Sequence, residues 1–394
     1  MPDLIFYVLL VLALAAAWYS GYRSKGGNTS LPWRKNEQDY FVGLNYLLND
    51  EADQSIDSFI ASLEVNSSTL ESHLALGTLL RRRGKVDSSI SVFQKLLADS
   101  GLDNASLNKV KLGLIKSYVA AGLLDRAERL IDELKIADVE LRYAALLQGL
   151  IVYQLEKEWL KAIMIANELV NICSSTQRQS FQLKASHFYC ELAEKEMALK
   201  HYNQAREYLG KANAKSRQNV RVSLLTGKLE IAQGQYQKAI KALLKIASQD
   251  AAFKAEGFNF LVQAFQASGQ QAELDRYVEQ CLQDAPTPAL LLSIVSYIEG
   301  SQGKAKARQM LLQQLAQRPS IELLGQAILL DAEADKQSSA DLFSSTLDNF
   351  LKGKASYQCQ NCGFELHQLH WLCPGCNEWG FIKPIVQQSE SGML

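Results

Sequence analysis

From about Tyr40 onward the chain repeats itself with a period near 34 residues, and this constrains its fold more than any single motif. Gly43 recurs as Gly77, Ser55-Ile56 as Ser89-Ile90 and Phe59 as Phe93, each displaced by 34. Tyr118 and Ala127 recur as Tyr153 and Ala162 after 35, and Ala205 recurs as Ala239 after 34. A unit of this length is one supersecondary element that cannot bury its apolar face alone, so neighbours must stack into a continuous core. Apolar residues fall at helical spacing within the units, as in Leu123, Ala127, Leu130, Ile131 and Leu134.

Side-chain size gives the units their internal geometry. Gly43, Gly77, Ala127, Ala162, Ala205 and Ala239 are expected where the two helices of a unit cross closely. Gly84, Gly122, Gly234 and Gly269 are expected in the turn between helices, where a left-handed backbone is needed. Pro286 and Pro319 fall where one unit gives way to the next. The pattern resembles the tetratricopeptide repeat. It predicts about eight units over residues 40–319, stacked as a superhelix, with a capping helical pair over 320–352. Leu274 stands where the seventh unit should have a small residue, which blurs the later boundaries. The basic run Arg81-Arg82-Arg83-Gly84-Lys85 fits a helix C-terminus, where positive charge complements the macrodipole; contact with anionic lipid or an acidic partner is the alternative.

Four cysteines near the end of the chain carry the clearest chemistry. Cys359 and Cys362 form one CxxC pair, Cys373 and Cys376 a second, with ten residues between. This is the spacing of a tetrahedral four-cysteine metal site. Four thiolates fill the coordination shell, so the site is expected to be structural, holding one zinc or iron ion. Free or disulfide-bonded thiols are the alternative. His367 and His370 lie between the pairs but are not needed as ligands. Trp371, Phe364, Trp379 and Phe381 are expected to form the small core of a module over 353–385, followed by a tail over 386–394. The remaining cysteines, Cys173, Cys190 and Cys281, read as small core residues, and His73, His187 and His201 as ordinary helix positions.

Leu4 to Tyr22 contains no charged residue, and nineteen helical residues span roughly 28 Å, close to the hydrocarbon thickness of a bilayer. Arg23, Lys25, Arg34 and Lys35 all follow this segment, and no Lys or Arg precedes it. The positive-inside rule then places the body on the cytoplasmic side. Residues 1–22 are therefore expected to be an uncleaved single-pass anchor and 23–39 a cytoplasmic tether. A cleaved signal peptide would want its charges ahead of the apolar run.

A net charge of −1 gives no global attraction to nucleic acid. Lys352, Lys354 and Lys383 are too few to lay a phosphate track around the cysteines. No phosphate-binding loop, dinucleotide fingerprint or nucleophile elbow is present, so the chain reads as a non-enzyme. The class is all-α, with a small rubredoxin-like or zinc-ribbon module at its end. A membrane-tethered redox protein is the competing function, although the loop between knuckles is shorter than in rubredoxins and Asn377 replaces a glycine found there.

Anchor, repeat array and cysteine knuckles in this order resemble the lipopolysaccharide assembly protein B family of Gram-negative bacteria. Tyr357-Gln-Cys359-Gln-Asn-Cys362-Gly-Phe364, followed by Trp371-Leu-Cys373-Pro-Gly-Cys376, is the most specific element. The resemblance implies an inner-membrane adaptor facing the cytoplasm. Its implied partners are a membrane-bound ATP-dependent metalloprotease, the deacetylase that commits precursor to lipid A, and other lipopolysaccharide-synthesis or transport proteins. It also implies metal ligation by Cys359, Cys362, Cys373 and Cys376.

Overall fold

The structure, a computed structural model, describes residues 69–98, 101–284, 286–317, 320–331 and 355–385. The expected anchor, tether and tail lie outside these residues, as do Gly43, Pro319 and most of the expected capping pair. Among the described residues no helix is long and apolar enough to cross a membrane. The chain divides into two compact units, up to Gln148 and from Gly149 onward.

The first unit contains α1 (Leu70–Arg82), α2 (Val86–Leu97), α3 (Asn104–Ala120), α4 (Leu124–Leu134) and the start of α5 (Val139–Leu155). Asp103 caps α3 by accepting the Ser106 N–H at 3.1 Å. Arg81 and Arg82 occupy the last turn of α1, where their charge faces the negative end of the helix dipole. The ring of Phe93, fully buried on α2, lies between Gly77 of α1 and Gly113 of α3. A Cβ at Gly77 would stand 2.7 Å from that ring, and one at Gly113 closer still. Both glycines are therefore required by packing. Ser89 donates to the Gly77 carbonyl at 2.7 Å and lies 2.9 Å from the Ser117 hydroxyl, which satisfies it inside the core.

The second unit continues α5 and adds α6 (Trp159–Ile172), α7 (Ser175–Ala198), α8 (Tyr202–Lys215), α9 (Val220–Ala232), α10 (Tyr236–Leu244) and the short α11 (Ile246–Gln249). A 3-10 turn at Ala251–Phe253 leads into α12 (Lys254–Ala267) and α13 (Gln271–Gln283). Then come α14 (Pro288–Gln302), α15 (Lys304–Gln317) and α16 (Ile321–Asp331). Thr287 caps α14, accepting the Leu290 N–H at 3.3 Å, and Pro288 occupies its first turn. Pro286 lies just before it, between units, as the sequence predicts.

Among the described residues, one rule governs the second helix of each pair: its fourth residue is fully buried. The residues are Ser89, Ala127, Ala162, Ala205, Ala239, Leu274 and Ala307. Leu274 thus keeps the register, and its larger side chain joins the buried cluster that holds Leu261, Ala264 and Ile294. The turn ahead of each second helix holds one residue at positive φ. Gly84, Gly122, Gly234, Gly269 and Gly303 take this role, as do Lys157 (φ 58°) and Lys200 (φ 62°). The two lysines escape a search for glycine, although they occupy the same left-handed position.

Candidate metal centre

The C-terminal module is built on three short antiparallel strands, β1 (Tyr357–Cys359), β2 (Glu365–Leu366) and β3 (Ile382–Pro384), in the order β2-β1-β3. Tyr357 pairs with Leu366 on one side and Pro384 on the other. Two turns built alike hang from this sheet. In the first, the Gly363 N–H donates to the Cys359 carbonyl at 2.9 Å and the Cys359 N–H to the Phe364 carbonyl at 2.8 Å. In the second, the Asn377 N–H donates to the Cys373 carbonyl at 2.8 Å and the Cys373 N–H to the Glu378 carbonyl at 3.0 Å. Gly363 (φ 78°) and Asn377 (φ 55°) both adopt the left-handed backbone that closes such a turn. Asparagine tolerates that region better than most residues, so replacing glycine at 377 leaves the knuckle intact.

The four sulfurs lie within 4.8 Å of one another. Cys359 Sγ is 3.8 Å from Cys376 Sγ, and Cys362 Sγ is 3.7 Å from Cys373 Sγ. Metal–sulfur bonds of about 2.3 Å in a tetrahedron require edges of about 3.8 Å, which these distances meet. A disulfide would need about 2 Å, so the sulfurs are not bonded to each other. His367 and His370 are exposed and stand outside the cluster.

Electrostatics point the same way. The Asn361 side chain, with the Glu378 amide, lowers the Cys376 thiol to about 7. The Phe364 amide favours a thiolate at Cys362, but desolvation and the neighbouring sulfurs push that group up to about 12. Burial raises Cys373 against the pull of the Cys376 and Gly375 amides. Four crowded thiols resist ionising together unless a cation supplies the counter-charge, and the donor set fits a soft or borderline divalent ion.

The aromatic residues do not form the module's own core. That core is Cys359, Leu366, Cys373 and Ile382, with Tyr357 and Leu369 packed against it. Phe364 and Phe381 are exposed at 45% and 39%. Trp371 and Trp379 flank the second knuckle and turn toward the repeats of the same unit. The Trp379 indole is 3% exposed, stacked on His187 at 5.2 Å and edge-on to Phe188 at 5.7 Å and Trp159 at 6.1 Å. Its Nε1–H donates to Gln154 Oε1 at 2.8 Å. Trp371 stacks on Phe253 at 5.6 Å. The physical reason is size: so small a sheet cannot cover two indoles, whereas α5, α6, α7 and the 3-10 turn together can.

Arg221 of α9 anchors this seam. Its guanidinium lies 6.0 Å and 5.8 Å from the ring centres of Trp371 and Trp379, and it pairs with Glu191 at 2.7 Å and Glu194 at 3.0 Å. Two of its nitrogens, Nε and Nη1, are buried without a hydrogen bond. His187 is 1% exposed, and burial, with Arg221 adding repulsion, holds its pKa well below the usual imidazole value. At the rim, Lys184 pairs with Glu378 at 2.9 Å, Lys383 with Asp250 at 2.8 Å, and the Tyr357 hydroxyl donates to Glu256. The sequence reading of His187 as an ordinary helix position missed this seam. A histidine and an arginine in otherwise apolar helix faces were its only signal. Cys190 and Cys281 are buried as expected, whereas Cys173 is half-buried; His73 bonds the Thr69 carbonyl and His201 pairs with Glu196.

Residues 357–384 match the family described as rubredoxin metal binding domain, and residues 196–267 match the tetratricopeptide repeat. Lipopolysaccharide assembly protein B of Escherichia coli K12 is 33% identical over 389 residues, covering 98% of this chain and 98% of that protein. Lipopolysaccharide assembly protein B of Haemophilus influenzae is 31% identical over 406 residues, covering 99% and 100%. A crystal structure of a tetratricopeptide repeat protein from Parabacteroides merdae aligns with 67% of this chain and 99% of its own, at 14% identity and a TM-score of 0.34.

Proposed function

The chain belongs to the lipopolysaccharide assembly protein B family, and from that premise we propose that it is an inner-membrane adaptor regulating lipopolysaccharide synthesis. The near full-length likeness to two assembly proteins carries this reading. In it, residues 1–22 anchor the chain, 23–39 tether it, and the body on the cytoplasmic side presents repeats and metal module to protein partners. Those partners are a membrane-bound ATP-dependent metalloprotease and the deacetylase that commits precursor to lipid A, with other synthesis or transport proteins gathered beside them. Anchoring confines adaptor, protease and substrate to one surface and raises their effective concentration without new contacts. Catalysis is left to the partners.

Cys359, Cys362, Cys373 and Cys376 hold one structural metal ion, zinc or iron, in this reading. The ion would fix the two knuckles relative to each other in a module whose own core is small. A Cys373→Ser variant is expected to lose metal while keeping most of its helical signal, because repeats are stabilised mainly by their neighbours. Exposure of Cys362 favours one competing reading, a membrane-tethered one-electron carrier, since a partner can approach the sulfur from solvent. Metal analysis separates the two, because bound zinc eliminates the carrier.

Crosslinking in intact membranes, followed by identification of captured proteins, tests the adaptor. The expected result is capture of the protease and the deacetylase. Capture of neither, from a chain that remains membrane-bound, would contradict it. Protease treatment of spheroplasts checks the topology: digestion of the repeats from outside would overturn the cytoplasmic placement.

A further inference from the structure

We infer that the metal module is a latch on the repeats: its bound ion keeps the second knuckle seated over His187 and Arg221, and loss of the ion uncovers that face. The inference rests on the proposed metal ligation by the four cysteines.

Both indoles stand close to the second pair of ligands. Trp371 lies two residues before Cys373, and Trp379 three residues after Cys376. The Gly380 N–H donates to the Trp371 carbonyl at 2.9 Å, and a β-bridge joins Leu372 to Trp379. Both indoles are therefore carried by one hairpin whose tip is the second pair of ligands. Gly380 itself approaches within 3.0 Å of His187 Nε2, measured from where a Cβ would sit, so the seam is closed against the hairpin backbone. Gln360 to Phe364 of the first knuckle, by contrast, are exposed.

Two of the four buried residues in the module's core, Cys359 and Cys373, are themselves sulfur donors. Removing the ion takes away the cross-link that brings the two knuckles together, and so small an apolar core cannot replace it. The hairpin then loses the geometry that seats both indoles. On the repeat side, Trp159, His187, Phe188, Arg221 and Phe253 are left facing solvent.

Hydrogen exchange on the full-length chain in detergent, with metal content measured on the same sample, tests this. Chelation should speed exchange about tenfold or more in α7 around Lys184–Phe188, in α9 around Arg221 and at Ala251–Phe253, while α2 and α3 keep their rates. Returning zinc should restore protection. Trp379→Ala should give the same increase with one ion still bound per chain. Gln154→Leu, which changes no residue of the module but removes the acceptor of the Trp379 N–H, should give a smaller increase at the same amides. If chelation removes the ion and the change stays within residues 355–385, the latch is overturned although metal binding stands. A chain that holds no metal and takes none up overturns the metal assignment and the latch together.

Discussion

Replacing Gly113 by alanine sets two known effects against each other, and the structure says which wins. In an exposed helix interior the change is favourable by about 1 kcal/mol, because alanine restricts the unfolded chain and favours the helix. At Gly113 the new methyl group would press into the ring of Phe93. The ring cannot retreat, because α1 approaches it from the other side at Gly77. Overpacking of this kind costs typically about 1–3 kcal/mol, and a fully buried ring confined on both sides belongs at the upper end. The expected net loss is about 1–2 kcal/mol after the helix gain is subtracted. Gly210, in the middle of α8, has no atom within 4 Å of its would-be Cβ, so Gly210→Ala should stabilise by about 0.5–1 kcal/mol. Urea denaturation followed by circular dichroism, with hydrogen exchange to localise each effect, measures both. Adding Phe93→Leu should recover part of the Gly113→Ala loss. If Gly113→Ala stabilises the chain as Gly210→Ala does, the packing argument is wrong.

Two further outcomes follow from single positions. Lys157→Gly and Lys200→Gly should each stabilise by about 0.5–1 kcal/mol, because both exposed lysines sit in a left-handed turn that costs an L-residue energy; thermal melts check this. His187 is held neutral in the fold with its pKa well below 6.5, so the unfolded chain binds the extra proton. Its stabilisation is complete above pH 6.5 and is lost as pH falls below that value toward the folded pKa. Melts between pH 7.5 and 5.5, followed by tryptophan fluorescence, should show this loss, and a His187→Phe variant should show a smaller one.

What the sequence revealed depended on the distance over which each feature is decided. The knuckles and the glycine turns are local: spacing and residue type within about five positions determine them, so they were legible. Leu274 and the turn lysines were harder because tertiary packing tolerates a residue that a pattern rejects. The seam was the real loss. Trp379 and Gln154 are 225 residues apart, and nothing in the module's own sequence says that its indoles serve a distant helix. Assigning them to the module's core was the natural local reading, and it was wrong because a three-stranded sheet cannot bury them.

The adaptor reading stands most directly on the fate of its proposed substrate. The measurement is the half-life of the lipid A deacetylase in cells with the intact chain, without it, and with a Cys359→Ser variant. The account predicts a longer half-life when the chain is absent and a similar lengthening in the cysteine variant. An unchanged half-life on loss of the whole chain would contradict it.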